Sequence, residues 1–169
     1  MIIVYSGNGK GKSTAAFGLA IRAAGWGKKV AIVQFIKGYK NTGEWKFFSR
    51  IPEIDIFQSF DDETMSIGEP TKIHKKNAFK SLAQAKEIIE SKKYDVVILD
   101  EINNAVFYHL VEAGEMIKIL KTAPAELDIV LTGRNAPSEF IKIADLVSEI
   151  KNIKHPFDSG KPAKKGIDY

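Results

Sequence analysis

Apolar positions along this chain follow two rhythms. Short unbroken runs, Ile2-Ile3-Val4-Tyr5, Val30-Ala31-Ile32-Val33-Gln34-Phe35, Tyr94 to Leu99 and Ile129-Val130-Leu131-Thr132, read as strands buried on both faces. Ile54-Asp55-Ile56-Phe57 and Leu146 to Ile150 are expected as two further strands. Between the runs, apolar residues recur every three or four positions, the spacing of one helix face. Ala15 to Ala24 shows this spacing, and Gly25-Trp26-Gly27 supplies a stop. Ala78, Leu82, Ala85, Ile88 and Ile89 mark a long helix from about Thr71 to Glu90. Met116, Ile117 and Leu120 mark another, and Phe140, Ile141 and Ala144 a last one that Pro137 can start. Gly38 to Gly43, Asp61 to Pro70 and the tail 154–169 are expected to be irregular. Strands alternating with helices predict an α/β fold of three layers. A mostly parallel central sheet carries helices on both faces, within one domain over 1–169.

Composition narrows this picture. A length of 169 residues suits one core, and no apolar run approaches the ~20 residues that span a bilayer. Met1 to Tyr5 has no basic leader, so a cytoplasmic protein without a membrane segment is expected. There is no cysteine, which excludes disulfides, thiolate metal sites and cysteine nucleophiles. The three histidines are far apart. A net charge of +4 reads as a lysine-covered surface that suits a polyphosphate better than nucleic acid, which is not expected as a partner.

The chemistry starts directly after the first strand. Ser6-Gly7-Asn8-Gly9-Lys10-Gly11-Lys12-Ser13 ends in Gly-Lys-Ser, the register of a phosphate-binding P-loop. Ser6 stands at the first glycine position of that pattern, while Gly7 and Gly9 still let the backbone approach a ligand. Loop amides and the helix N-terminus form an anion site, Lys12 adds a cation, and the Ser13 hydroxyl is placed for Mg²⁺. Lys10 is read either as a phosphate contact or as solvent-facing. Thr14 either supports the phosphates or caps the helix. Asp100-Glu101, at the carboxyl end of an apolar strand, read as a Walker B pair with one carboxylate on the metal directly and the other through water. The alternative for the pair is a helix cap. Arg134 follows another strand and is expected on the same edge, as a phosphate or transition-state contact or as a surface residue.

The chain resembles the P-loop-type corrinoid adenosyltransferases. The residues that carry the resemblance are Tyr5 to Ala16, Val33-Gln34-Phe35-Ile36-Lys37-Gly38, Val97 to Glu101, Leu131-Thr132-Gly133-Arg134, Ile153 to Gly160 and Lys165 to Tyr169. The resemblance implies a RecA-like P-loop NTPase fold. It implies transfer of the 5′-deoxyadenosyl group of ATP to the cobalt of a reduced corrinoid, cob(I)alamin or cobyrinic acid a,c-diamide, with release of triphosphate. ATP would lie reversed in the loop, its γ-phosphate deep. Gly7, Asn8, Gly9, Lys10, Gly11, Lys12, Ser13 and Thr14 would hold the ATP, Ser13 with Glu101 and Asp100 the Mg²⁺, and Lys12 and Arg134 would act in catalysis. A homodimer and an electron-donating reductase are the partners implied. Where the family carries an aromatic Phe-x-Trp pair, this chain reads Phe60-Asp61-Asp62-Glu63. Phe60, Trp45 and Lys37 are therefore the candidate corrinoid contacts, with Trp45, Phe47 and Phe48 open to a core role instead. The changed loop also motivates an alternative, a related Mg-ATPase or nucleotide-binding switch without corrinoid activity.

Overall fold

The computed structural model describes residues 1–36, 41–59 and 72–168. The elements run β1 (Ile2–Ser6), α1 (Lys12–Gly25), β2 (Val30–Gln34), α2 (Gly43–Phe48), β3 (Ile54–Gln58), α3 (Lys72–Glu90), β4 (Val96–Asp100), α4 (Ile102–Phe107), α5 (Ala113–Lys121), β5 (Asp128–Thr132), α6 (Ser138–Ile143) and β6 (Leu146–Glu149). A 3₁₀ turn at Pro156–Ser159 interrupts the otherwise irregular tail. The sheet is wholly parallel, in the order β3-β2-β4-β5-β1-β6.

Period-two alternation along the strands separates the two faces. Val4, Val33, Val97, Leu99, Ile129 and Leu131 point into one core, with α3, α5 and Phe140 of α6. Ile3, Val30, Ile32, Val96, Ile98 and Val130 point into the other, with α1 and Phe48 of α2. Helices cover both faces, so β1, β2, β4 and β5 are apolar on both and show as unbroken runs, unlike the edge strands β3 and β6. Helices α1 and α6, which follow the neighbouring strands β1 and β5, lie on opposite faces. The chain therefore diverges between those strands, and a crevice opens at their carboxyl ends.

Helix α1 buries Ala16, Phe17, Ala20 and Ala23 at helical spacing. It ends where the N–H groups of Trp26, Gly27 and Lys28 return to the carbonyls of Ala23 and Ala24. Two short helices depart from the sequence expectation. The aromatic patch after Gly43 is helix α2, with Thr42 accepting at its N-cap from the Trp45 N–H. Helix α4 starts directly after Glu101. Both are only six residues long, and neither is preceded by a proline such as the Pro137 that marks the equally short α6. No helix among the described residues is long and apolar enough to cross a membrane.

Candidate nucleotide and metal site

Each strand of the sheet ends in a polar residue: Ser6, Gln58, Gln34, Asp100, Thr132 and Glu149. At the carboxyl edge four of these side chains join one network around Asp100, which is fully buried. Asp100 Oδ1 accepts from Ser13 Oγ at 2.7 Å and from Thr132 Oγ1 at 2.8 Å. Its Oδ2 accepts from Gln34 Nε2 at 3.1 Å, and Gln34 Oε1 in turn accepts from Gln58 Nε2 at 2.6 Å. Three donors converge on this one carboxylate, and the bond from Ser13 holds that residue at the sheet edge. Strand β5 sits between the loop-bearing β1 and the acidic β4, which is why Thr132 can reach both Asp100 and, at 3.0 Å, the backbone N–H of Glu101.

Above this network lies a cleft of about 690 Å³ whose wall includes the whole segment Asn8 to Thr14. No side chain caps α1, and its first turn carries no acid, so the positive end of the helix faces the cleft. Lys12 is only 8% exposed, and its Nζ donates to the Gly9 carbonyl at 2.7 Å. The loop holds its own cation beside the helix N-terminus, where an anionic ligand would meet both. The Gly9 N–H is directed to the Ile150 carbonyl at 2.7 Å, so this amide fixes the loop to the chain after β6. Gly7 packs close against the same carbonyl: at φ 101°, a Cβ there would stand 2.4 Å from the Ile150 carbonyl oxygen. Gly7→Ala is therefore expected to force the loop off β6 and to cost about 1–3 kcal/mol of stability. ATP affinity should fall at least tenfold; a thermal melt and an ATP titration check both, and wild-type values in both would refute the account.

Lys10 turns away from the loop toward residues 167 and 168. Its Nζ donates to the Ile167 carbonyl at 2.8 Å and to the Asp168 carboxylate. The Lys10 hydrogen bond, seconded by the Lys164 backbone N–H, holds the Asp168 carboxyl below the usual carboxylate range. The pair is solvent-exposed, and Gly166, Ile167 and Asp168 form one side of the cleft.

Glu101 and Arg134 also border the cleft. Glu101 has a left-handed backbone, φ 65°, which is uncommon outside glycine and turns the chain from β4 into α4. Its carboxylate accepts from Asn104 Nδ2. Arg134 is exposed, and its backbone N–H donates to Asn104 Oδ1 at 2.8 Å. Thr14 is exposed on the same wall. Lys37 and Phe60 lie outside the described residues. The three aromatics of α2 separate. Phe48 is core, packed edge-on against Phe17 with centroids 5.3 Å apart. Phe47 is 49% exposed and borders the cleft. Trp45 lines a different groove, beside Ile54 and Ile56. Trp45 and Phe47, two residues apart on one short helix, therefore point in different directions.

Gln34, Gln58, Thr132 and Asn104 were not singled out from the sequence. The first three share the signal that identifies Asp100, a polar residue closing an apolar strand. Asn104 has no such signal.

Fold and loop together define a P-loop nucleotide-binding protein of the RecA-like class. A KaiC-like protein from the hyperthermophilic archaeon Pyrococcus horikoshii shares this fold, with a TM-score of 0.55 over 90% of this chain and 74% of that one, at 16% identity. The chain belongs to the ATP:corrinoid adenosyltransferase family BtuR/CobO/CobP, whose model matches residues 1–169. It is 40% identical over 175 residues to a corrinoid adenosyltransferase of Sinorhizobium, covering all of this chain and 80% of that one. It is 39% identical over 174 residues to the corrinoid adenosyltransferase of Escherichia coli K12, covering all of this chain and 85% of that one. The Salmonella typhimurium corrinoid adenosyltransferase CobA is 38% identical over 174 residues, with all of this chain and 85% of CobA covered. The chain is accordingly an enzyme of this transferase family, and the ATPase or switch alternative is not favoured.

Proposed function

We propose that this chain, acting as one domain over residues 1–169, transfers the 5′-deoxyadenosyl group of ATP to the cobalt of a reduced corrinoid and releases triphosphate. The observation that carries the reading is a full-length family match on a chain that brings Lys12, Ser13 and Asp100-Glu101 to one sheet edge. In the reaction the Co(I) electron pair forms a bond to the ribose 5′-carbon. The C5′–O bond breaks, and its electrons leave on triphosphate. No proton leaves the attacked carbon, so the chain needs no general base there. Its work is to hold the nucleotide and to neutralise the leaving group. Lys12 and the α1 N-terminus supply positive charge where the triphosphate lies reversed, and Arg134 adds a third donor from the β5 edge. Asn8, Gly11 and Thr14 shape the wall against it.

Ser13, Asp100 and Glu101 offer hard oxygen donors, which suit Mg²⁺ shared with phosphate oxygens. Among the described residues no cluster of three or more His, Cys, Asp or Glu could hold a metal by itself, in keeping with an ion held in part by the nucleotide. Mg²⁺ bound there adds positive charge against the departing triphosphate. Phe47, on the cleft wall, offers an apolar face to the corrin, with Lys37 and Phe60 as further contacts. The same reading carries a cytoplasmic homodimer and a reductase that delivers Co(I).

Reduced cobalamin, ATP and Mg²⁺ supplied together should give the cobalt–carbon product and inorganic triphosphate in equal amounts. Formation of ADP and phosphate alone, without a cobalt–carbon bond, overturns the proposal.

A further inference from the structure

One peptide unit at the site is held from both sides. The Gly133 carbonyl accepts from Asn103 Nδ2 at 3.2 Å, and the N–H of the same peptide, on Arg134, donates to Asn104 Oδ1 at 2.8 Å. The approach is close enough that a Cβ on Gly133, at φ 130°, would stand 2.9 Å from Asn103 Cβ and 3.0 Å from the Asn104 nitrogen. Asn103 is fully buried, and Asn104 borders the cleft. The other end of the Asn104 amide, Nδ2, donates to the Glu101 carboxylate.

We infer that Asn104 is a positioning residue that locks the Glu101 carboxylate to the Gly133–Arg134 peptide, so that the metal-side acid and the backbone of the arginine that follows β5 are set by one side chain. The inference rests on the metal role proposed for Glu101. Its chemistry is selective. A backbone N–H can only donate and a carboxylate can only accept, so the residue between them must accept at one atom and donate at another. A primary amide does this with its two ends in one plane. Aspartate would keep the acceptor but set a second negative charge against Glu101. Leucine or alanine would offer neither. The backbone of Glu101, left-handed at φ 65°, gives its side chain an unusual starting direction. Such a carboxylate has more need of an orienting partner than one on a regular helix.

Partners that orient metal ligands without touching the metal typically set metal affinity or activity by about 10- to 100-fold. Asn104→Ala should therefore raise the half-saturating Mg²⁺ of the transfer reaction about tenfold, with a smaller change in the KM for ATP. Mn²⁺ binding to the protein–ATP complex, read by electron paramagnetic resonance without any corrinoid, should weaken by a similar factor. Combined with Glu101→Gln, the second change should add little to the first, because both act through one carboxylate. Asn104→Asp keeps the size and the Arg134 contact. It should lose transfer activity comparably while melting near the wild type, which covers the case in which the alanine variant does not fold. Wild-type Mn²⁺ affinity in Asn104→Ala, full additivity with Glu101→Gln, or a fully active Asn104→Asp overturns the inference. Should Glu101→Gln alone leave metal dependence unchanged, the metal reading itself fails, a result distinct from an inert Asn104→Ala beside a responsive Glu101→Gln.

Discussion

Lys12→Ala is expected to lower adenosyl transfer by about 10²- to 10³-fold, the scale on which one preorganised charge-stabilising group usually contributes. The geometry supports the upper part of that range. The lysine is 8% exposed and enters at the first residue of α1, so its ammonium and the positive end of the helix act on the same volume. Little water screens it there. One of its internal partners, the Gly9 carbonyl at 2.7 Å, is a neutral acceptor. Exchange for a phosphate oxygen converts that bond into one with charge on both sides, which is the stronger kind. A leaving triphosphate gains negative charge as C5′–O breaks, so the loss should appear in turnover as well as in ATP affinity. Calorimetric ATP titration and single-turnover product formation separate the two. Unchanged affinity together with unchanged turnover would reject the loop as the triphosphate site. Lys10 should behave differently. Its side chain is engaged with Ile167 and Asp168, in an exposed pair that solvent and salt screen.

The parts of the molecule legible in the sequence are those where one strong local rule decides. Double-sided burial makes β1, β2, β4 and β5 read as apolar runs, and their ends mark the crevice. Gly11-Lys12-Ser13 after a strand and before a helix leaves little else for that segment to be. Helices α2 and α4 are six residues long with no proline at their start, whereas Pro137 marks the equally short α6. Without helix α2 the sequence offers no basis for separating the direction of Trp45 from that of Phe47. The Asp100 network was half legible. Gln34 and Thr132 close their strands as Asp100 does, and the register pairs Gln34 with Asp100. What the sequence could not show was β5 lying between β1 and β4, which brings Thr132 to Asp100. Asn104 depends on a single backbone angle at Glu101, and no pattern of residue types encodes that.

That network makes Asp100 the residue whose loss should disturb fold and chemistry together, and an isosteric change can separate the two. Asp100→Ala removes the acceptor of the buried Thr132 hydroxyl and the buried Gln34 amide, and one partner of the part-buried Ser13 hydroxyl. At about 1–3 kcal/mol for each buried unsatisfied group, offset by no longer burying a charge, a net destabilisation of about 3 kcal/mol is expected. Asp100→Asn should fold almost normally. Its oxygen can still accept from Ser13 and Thr132, and its new amide would face Gln34 Nε2. Gln34 can answer by turning its amide over, which presents Nε2 to Gln58. Gln58 can turn in the same sense, because its buried Oε1 has no partner among the described residues and is available to accept. The relay thus inverts with every bond kept. The negative charge is gone all the same, and with it the carboxylate beside Ser13 proposed to serve Mg²⁺. Transfer in Asp100→Asn should fall roughly 10- to 100-fold at near wild-type melting temperature. A low-melting Asp100→Asn would show that the glutamine relay cannot invert. A stable and fully active one would remove Asp100 from the chemistry and leave it a purely structural acceptor.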